Sequence, residues 1–170
     1  FDAHKHRSLP VVGDAKACLS ELDAAMGDWM APAARMEQAK AAMAEWRAYL
    51  DERRTPDNQT PTYAQVVGAV NEMSTADDSV LTAAGGLPGE MNKGWLAKAH
   101  RSYDCEYGFS CMGYEISGAW GARIAQSERE PDRDTITFCG DGSYLMLNSD
   151  IYSSVLSRTK LIVFLLDNGG

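Results

Sequence analysis

The chain lacks several features whose absence narrows its function. No apolar run is long enough to cross a bilayer: the longest, Leu161 to Leu166, falls far short of the roughly 20 residues a spanning helix needs. There is no basic stripe either. Lys160 and the Arg53-Arg54 pair stand apart, and a net charge of −8 with a pI near 4.8 leaves no positive field to displace counterions from a phosphate backbone. Neither a membrane nor a nucleic acid is an expected partner. Cys18, Cys105, Cys111 and Cys139 form no CxxC pair and match no zinc-ligand spacing. They are expected to be reduced, half-buried small hydrophobes in a cytoplasmic protein. No charged-then-apolar leader opens the chain and no initiator methionine precedes Phe1. The last residues, to Gly170, follow a strand-like run where a sheet should continue. Both ends suggest a piece of a longer polypeptide.

With 45% apolar and 24% charged residues, the chain can bury a core, and its length suits one domain plus a small attachment. Leu9 to Val12 is a short apolar run, expected as a strand. Asp14 can cap a helix carrying Cys18, Leu22, Ala25 and Met26 at helical spacing. A strand and one helix cannot stand alone, so residues 1–28 are expected to end a preceding domain. Residues 29–61 supply a helix and linker. Its stripe of Met36, Ala39, Met43, Trp46 and Leu50 makes one apolar face, suited to docking on the rest of a parent protein, and Pro56 and Pro61 mark the exit.

From residue 62 helices and apolar strands alternate. Thr60 with Pro61 can start a helix that buries Val66, Val67, Val70 and Met73. Ser79 to Ala83 is a short strand ending at Gly85-Gly86. A loop follows with Trp95 as an anchor, then a weak helix through His100. Gly113 to Gln126 is a helix whose Gly118, Gly121, Ala122 and Ala125 permit close packing. Thr135 to Cys139 is a strand, Gly140 to Ser143 a turn, Tyr144 to Leu156 an amphipathic helix and Leu161 to Leu166 a continuous buried strand. This alternation predicts an α/β fold, a parallel sheet with helices on both faces.

The chemistry-bearing stretch runs from Asp134 to Gly170. A strand delivers Gly140-Asp141-Gly142-Ser143 to its carboxyl end, where open α/β sheets bind ligands. The glycines let the backbone turn and approach a ligand, and the following helix aims free N–H groups at the same spot. The next strand ends in Asp167-Asn168-Gly169-Gly170, and a right-handed crossover puts that end beside the first turn. One carboxylate, one amide oxygen and one backbone carbonyl could then share a magnesium ion with two phosphate oxygens and a water, filling its octahedron. Each tetrapeptide alone is an ordinary turn. It is their spacing, framed by strand, helix and strand, that carries the signal.

This pattern is similar to the GDG…N signature of the thiamine-diphosphate enzymes. The resemblance implies a truncated PP-type, thiamine-diphosphate-binding domain over residues 62–170. It implies magnesium held by Asp141, Asn168 and the carbonyl of Gly170, with Gly140, Gly142 and Ser143 around the diphosphate. Ser110-Cys111-Met112-Gly113-Tyr114 matches the family's methionine before a glycine-aromatic pair. Met112 would brace the bent cofactor, and the backbone of Ser110 and Met112 would hydrogen-bond its aminopyrimidine. The runs Gly86 to Glu90, Glu106 to Glu115 and Gly140 to Leu147, with the opening Phe1 to His6 and Leu9 to Asp14, resemble the branch that opens the ring of trihydroxycyclohexanedione in inositol catabolism. That implies C–C hydrolysis of a cyclic diketone by a homo-oligomer, at least a dimer, with residues 1–28 closing its middle domain.

Two departures matter. Related acetolactate synthases have Gly-Gln-His near the diphosphate where this chain has Gly85-Gly86-Leu87, so only backbone N–H groups of Gly85 and Gly86 could serve. The family's catalytic glutamate lies on an amino-terminal domain of a partner subunit, so no catalytic residue is assigned here and the chain alone is expected to be inactive. An acetolactate-synthase-like or decarboxylase-like carboligase and a non-catalytic packing fragment remain alternatives. Plainer roles also compete residue by residue. Met112 taken alone is core filling, and Glu106 and Glu115 are solvated or salt-bridged. His4, His6 and His100 are surface residues, Trp46, Trp95 and Trp120 are packing anchors, and Asp150 is exposed or paired.

Overall fold

A computed structural model describes residues 3–57 and 60–169, which divide into two compact units, 1–46 and 47–170. In the first unit Asp14 caps α1 (Ala15–Met26), its Oδ1 accepting the Ala17 N–H at 2.9 Å. The expected strand over Leu9 to Val12 does not form. Leu9, Val11 and Val12 are exposed coil, because a strand needs a partner and none is paired with them. Helix α2 (Ala33–Arg54) carries the predicted stripe, but Met36 and Met43 are exposed and only Leu50 is buried.

The second unit takes in the end of α2, residues 47–54, and continues with α3 (Tyr63–Met73). Its cap is Thr62 rather than the expected Thr60, because Gln65 stands three residues on and completes a capping box. The Gln65 N–H donates to Thr62 Oγ1 at 3.3 Å and the Thr62 N–H to Gln65 Oε1 at 2.9 Å. Val67, Val70, Asn71 and Ser74 form the buried face. Met73, expected inside, is 82% exposed, since it lies off that stripe. Then follow β1 (Ser79–Thr82), α4 (Leu87–Gly94), β2 (Tyr103–Cys105), α5 (Tyr114–Gln126), β3 (Thr135–Gly140), α6 (Asp141–Leu147), α7 (Ser149–Leu156) and β4 (Ile162–Leu166). The helix expected through His100 is α4, earlier in the chain, and Gly94 and Trp95 end it.

Among the described residues the strands make one parallel sheet in the order β2-β1-β3-β4. The pleat sends successive side chains to opposite faces. On one face Val80, Ile136, Phe138 and Leu166 pack with Val67 and Val70 of α3 and Leu87 and Met91 of α4. On the other, α5 lies over β3 and β1, with Thr137 Oγ1 donating to the Glu115 carbonyl at 2.7 Å and Thr135 Oγ1 to Gln126 Oε1 at 3.2 Å. Helices on both faces of a parallel sheet are thus as the alternation predicted. Trp95 does anchor the core, meeting Phe138 edge-on at 6.0 Å. Phe138 stacks on Phe164 at 5.1 Å.

Two further expectations are corrected. The amphipathic helix over Tyr144 to Leu156 begins earlier, at Asp141, and breaks at Asn148 into α6 and α7, where the Ile151 N–H reaches the Asn148 carbonyl at 3.1 Å. Asparagine weakens helix interiors because its side chain competes for nearby backbone groups. The last strand is half-buried rather than fully buried, with Leu165 45% exposed, because among the described residues β4 pairs with β3 alone. Phe138→Ala should therefore cost about 3–5 kcal/mol and Leu165→Ala about 1 kcal/mol, read as midpoint shifts in urea unfolding. Equal losses would contradict the placement of the core.

Candidate functional site

The strand order decides where a ligand can bind. From β1 the chain moves to one side to form β2, then back past β1 to form β3. The connecting helices α4 and α5 consequently cover opposite faces, and the carboxyl ends of β1 and β3 form the topological switch point, the usual ligand site of an open α/β sheet. Residues 83–86, 106–113, 141–143 and 167–169 all follow carboxyl ends of strands and gather on this edge. Every described residue singled out for the site lies in them or, for Gly140, at the tip of β3.

The β3–β4 ladder runs to the pair Gly140↔Leu166. Asp141 is the next residue on one strand, and Asp167 and Asn168 are the next two on the other, so the pairing brings both expected cation-binding tips to one end of neighbouring strands. Gly140 caps α6 with an extended backbone, and Asp141, Gly142 and Ser143 form its first turn, where N–H groups lack helical partners. The expected isolated turn is therefore a strand end running directly into a helix. Asp141 is half-buried and Ser143 buried. The Gly169 N–H donates to Asp167 Oδ1 at 2.9 Å, folding the strand end back on itself. Asn168 donates through Nδ2 to the Tyr63 hydroxyl at 3.1 Å, which engages the end of the amide that a cation does not use. Gly170 lies outside the described residues. A carboxylate and an amide oxygen are hard donors, suited to Mg²⁺. Among the described residues no cluster of three or more His, Cys, Asp or Glu offers a different metal centre.

The methionine turn lies against this loop. A Cβ at Gly142 would stand 3.1 Å from the Met112 methyl, so a side chain there would have to displace Met112. Met112 is 46% exposed, which is too open for core filling. Gly113 adopts φ +93, and a Cβ there would also meet Leu147 at 2.8 Å; only glycine satisfies both constraints. Ser110 is left-handed at φ +53, a conformation that costs free energy in a non-glycine residue and concentrates at functional sites. Its Oγ accepts the Gly85 N–H at 3.3 Å, joining the loop after β1 to the loop after β2. Gly86 caps α4 and is exposed.

Both glutamates depart from the solvated or salt-bridged role expected of them. Glu115 is fully buried: Oε1 accepts the Ala84 N–H at 2.8 Å and Oε2 the Gly113 N–H at 2.9 Å. Residue type gave no sign of this, because the carboxyl is matched by backbone donors from two other segments. Glu106 braces its own loop, accepting the Cys111 N–H at 3.0 Å and the Phe109 N–H at 3.1 Å. Those bonds, Cys111 first, hold its carboxyl below the ordinary glutamate value. Partial desolvation, and then the adjacent Glu106, push the Cys111 thiol up. Burial, reinforced by Glu115, raises Cys139 to about 11. No described cysteine is disulfide-bonded, although Cys111 is exposed and Cys139 fully buried rather than half-buried. Asp150 is paired, accepting from Ser117 Oγ at 2.5 Å.

Residues 83–170 match the family model described as thiamine pyrophosphate enzyme, C-terminal TPP binding domain. All of the chain aligns with the 3D-(3,5/4)-trihydroxycyclohexane-1,2-dione hydrolase of Geobacillus thermodenitrificans, at 36% identity over 29% of that protein. It also aligns throughout with that of Clostridium botulinum strain Alaska E43, at 31% identity over 30% of that protein. In Bacillus cereus strain ZK, hydrolase 1 is 41% identical over 64% of this chain and 16% of its own length. The chain thus spans at most 30% of the length of these curated relatives. Among solved structures, benzoylformate decarboxylase from Polynucleobacter necessarius superposes with a TM-score of 0.58 at 20% identity, covering 68% of this chain and 21% of its own. A putative thiamin diphosphate-dependent enzyme from Mycobacterium smegmatis gives 0.55 at 21% identity, covering 63% and 20%.

Since the folded Glu106 value is lowered, its contribution to loop order is complete above the ordinary value of 4.5 and is lost as pH falls through the lower folded value. Amide-exchange protection of Phe109 and Cys111 should therefore hold from neutral pH down to 4.5 and fall as the pH drops further, and Glu106→Gln should remove that pH dependence. Protection that stayed constant in the wild type would contradict the bracing role.

Proposed function

The chain belongs to the thiamine pyrophosphate enzymes, and on that premise we propose that it forms the cofactor-binding part of a Mg²⁺-dependent hydrolase that opens the ring of a trihydroxycyclohexanedione by C–C cleavage. The observation that carries the site is the β3–β4 register, Gly140↔Leu166, which sets Asp141 and Asn168 on neighbouring strand tips. The substrate class is supported by the relatives that bear that name and align along the entire chain.

In this reading Asp141, Asn168 and the Gly170 carbonyl hold the magnesium ion. Backbone N–H groups of Gly140, Gly142, Ser143, Gly85 and Gly86 receive the diphosphate. Ser110 and Met112 would position the aminopyrimidine through their backbone, and the Met112 side chain, lying against Gly142, would brace the cofactor. Tyr63 turns the Asn168 amide by accepting from its Nδ2. When bound, thiamine diphosphate supplies a carbanion able to attack a carbonyl carbon of the cyclic diketone. The glutamate that activates it comes from an amino-terminal domain of a partner subunit, so the working protein is at least a homodimer and this chain alone binds weakly and turns nothing over. Cysteines without disulfides support a cytoplasmic setting. Among the described residues no helix is long and apolar enough to cross a membrane.

Calorimetry on the full-length protein tests the site. Thiamine diphosphate should bind only with Mg²⁺, and Asp141→Ala and Asn168→Ala should abolish that binding. Tyr63→Phe should weaken Mg²⁺ about tenfold, the usual effect of losing a hydrogen bond that orients a metal ligand. Equal heats for the wild type and Asp141→Ala would remove the assignment. Turnover of pyruvate rather than trihydroxycyclohexanedione would remove the substrate.

A further inference from the structure

Glu115 takes no part in the site as described, yet it touches both halves of it. Its carboxyl is fully buried and both oxygens accept backbone N–H groups, one from Ala84 at 2.8 Å and one from Gly113 at 2.9 Å. Ala84 immediately precedes Gly85-Gly86, and Gly113 immediately follows Met112. The same carboxyl therefore fixes the loop assigned to the diphosphate and the turn assigned to the aminopyrimidine. Its main chain is anchored as well, since Thr137 Oγ1 on β3 donates to the Glu115 carbonyl at 2.7 Å. Gly113 has little freedom to compensate. It is held at φ +93, with Leu147 filling the space beside it.

We propose that Glu115 is a positioning residue that couples these two loops, so that filling the diphosphate side orders the Met112–Gly113 turn before the rest of the cofactor docks. This rests on the cofactor reading above and extends it. The physical reason is geometric. A carboxyl holds its two acceptor oxygens in a fixed plane, and each backbone N–H points in one direction. Moving either loop alone leaves a buried donor without an acceptor, a loss equivalent to about tenfold or more in an equilibrium. The loops therefore move together or stay together. The exposed Gly85 N–H to Ser110 Oγ contact, at 3.3 Å, links the same pair of segments from the solvent side. Glu115 is not a catalytic residue, because no part of it reaches the surface.

Glu115→Gln separates coupling from bulk. It keeps the volume and one acceptor, and it sets an NH₂ group against an N–H donor on the other side. In the full-length oligomer, this variant should bind Mg²⁺–thiamine diphosphate about tenfold more weakly. It should bind Mg²⁺–pyrophosphate within about threefold of wild type, since pyrophosphate needs only one of the two loops. Ser74→Ala, which removes a buried hydrogen bond to the Asn71 carbonyl at the end of α3 and touches neither Glu115 nor either loop, should lower Tm and leave cofactor affinity unchanged. In the wild-type protein, Mg²⁺–pyrophosphate alone should slow amide exchange in residues 111–116 as well as 83–86. That experiment decides by itself if Glu115→Gln does not assemble. Wild-type cofactor affinity in Glu115→Gln, or pyrophosphate protection that stops short of residues 111–116, would overturn the coupling while leaving the cofactor site standing. A wild-type protein that failed to bind Mg²⁺–thiamine diphosphate would overturn the site itself, and the coupling with it.

Discussion

The site depends on the parallel ladder between β3 and β4, which runs from Ile136↔Ile162 to Gly140↔Leu166. A shift of one residue along it would reverse the face of every side chain on β4 and move Asn168 away from the tip that carries Asp141. The register is held by packing as well as by backbone hydrogen bonds. Phe138 and Phe164 are direct partners in the ladder and stack at 5.1 Å, and Trp95 meets Phe138 edge-on. A core contact in the middle of the sheet thus sets the position of two polar loop tips at its end.

The loops above that edge are arranged around one another rather than independently. Met112 fills the space a side chain at Gly142 would take, Leu147 does the same at Gly113, and Ser110 accepts from Gly85 in a left-handed conformation. Glu115 joins two of these segments from beneath, and Glu106 stiffens the stretch that leads into them. Such a set of mutual constraints is what a preformed cofactor cradle needs, because a ligand with a charged end and an aromatic end gains affinity when both receptors are already spaced for it.

The parts of this arrangement legible in the sequence were those governed by local spacing. Strands β1 and β3 follow from short apolar runs and helix α5 from its stretch of small residues, and Gly140-Asp141-Gly142-Ser143 with Asp167-Asn168-Gly169-Gly170 mark the two tips. What escaped depended on contacts between distant segments. Strand β2 is only Tyr103-Asp104-Cys105, too short to show alternation, and exists because β1 offers it a ladder. Tyr63 meets Asn168 across the whole second unit. Glu115 looks like any surface carboxylate until two backbone donors converge on it. Thr60 and Thr62 are equally good caps by residue type, and only the partner Gln65 chooses between them.

The most direct test of the central claim is the anomalous scattering of Mn²⁺ in crystals of the full-length protein grown with thiamine diphosphate. One peak between Asp141 and Asn168, about 2–2.2 Å from a side-chain oxygen of each, is the expected result. An ordered β3–β4 edge with no peak there, or with the two side chains turned to opposite faces of the sheet, would contradict it.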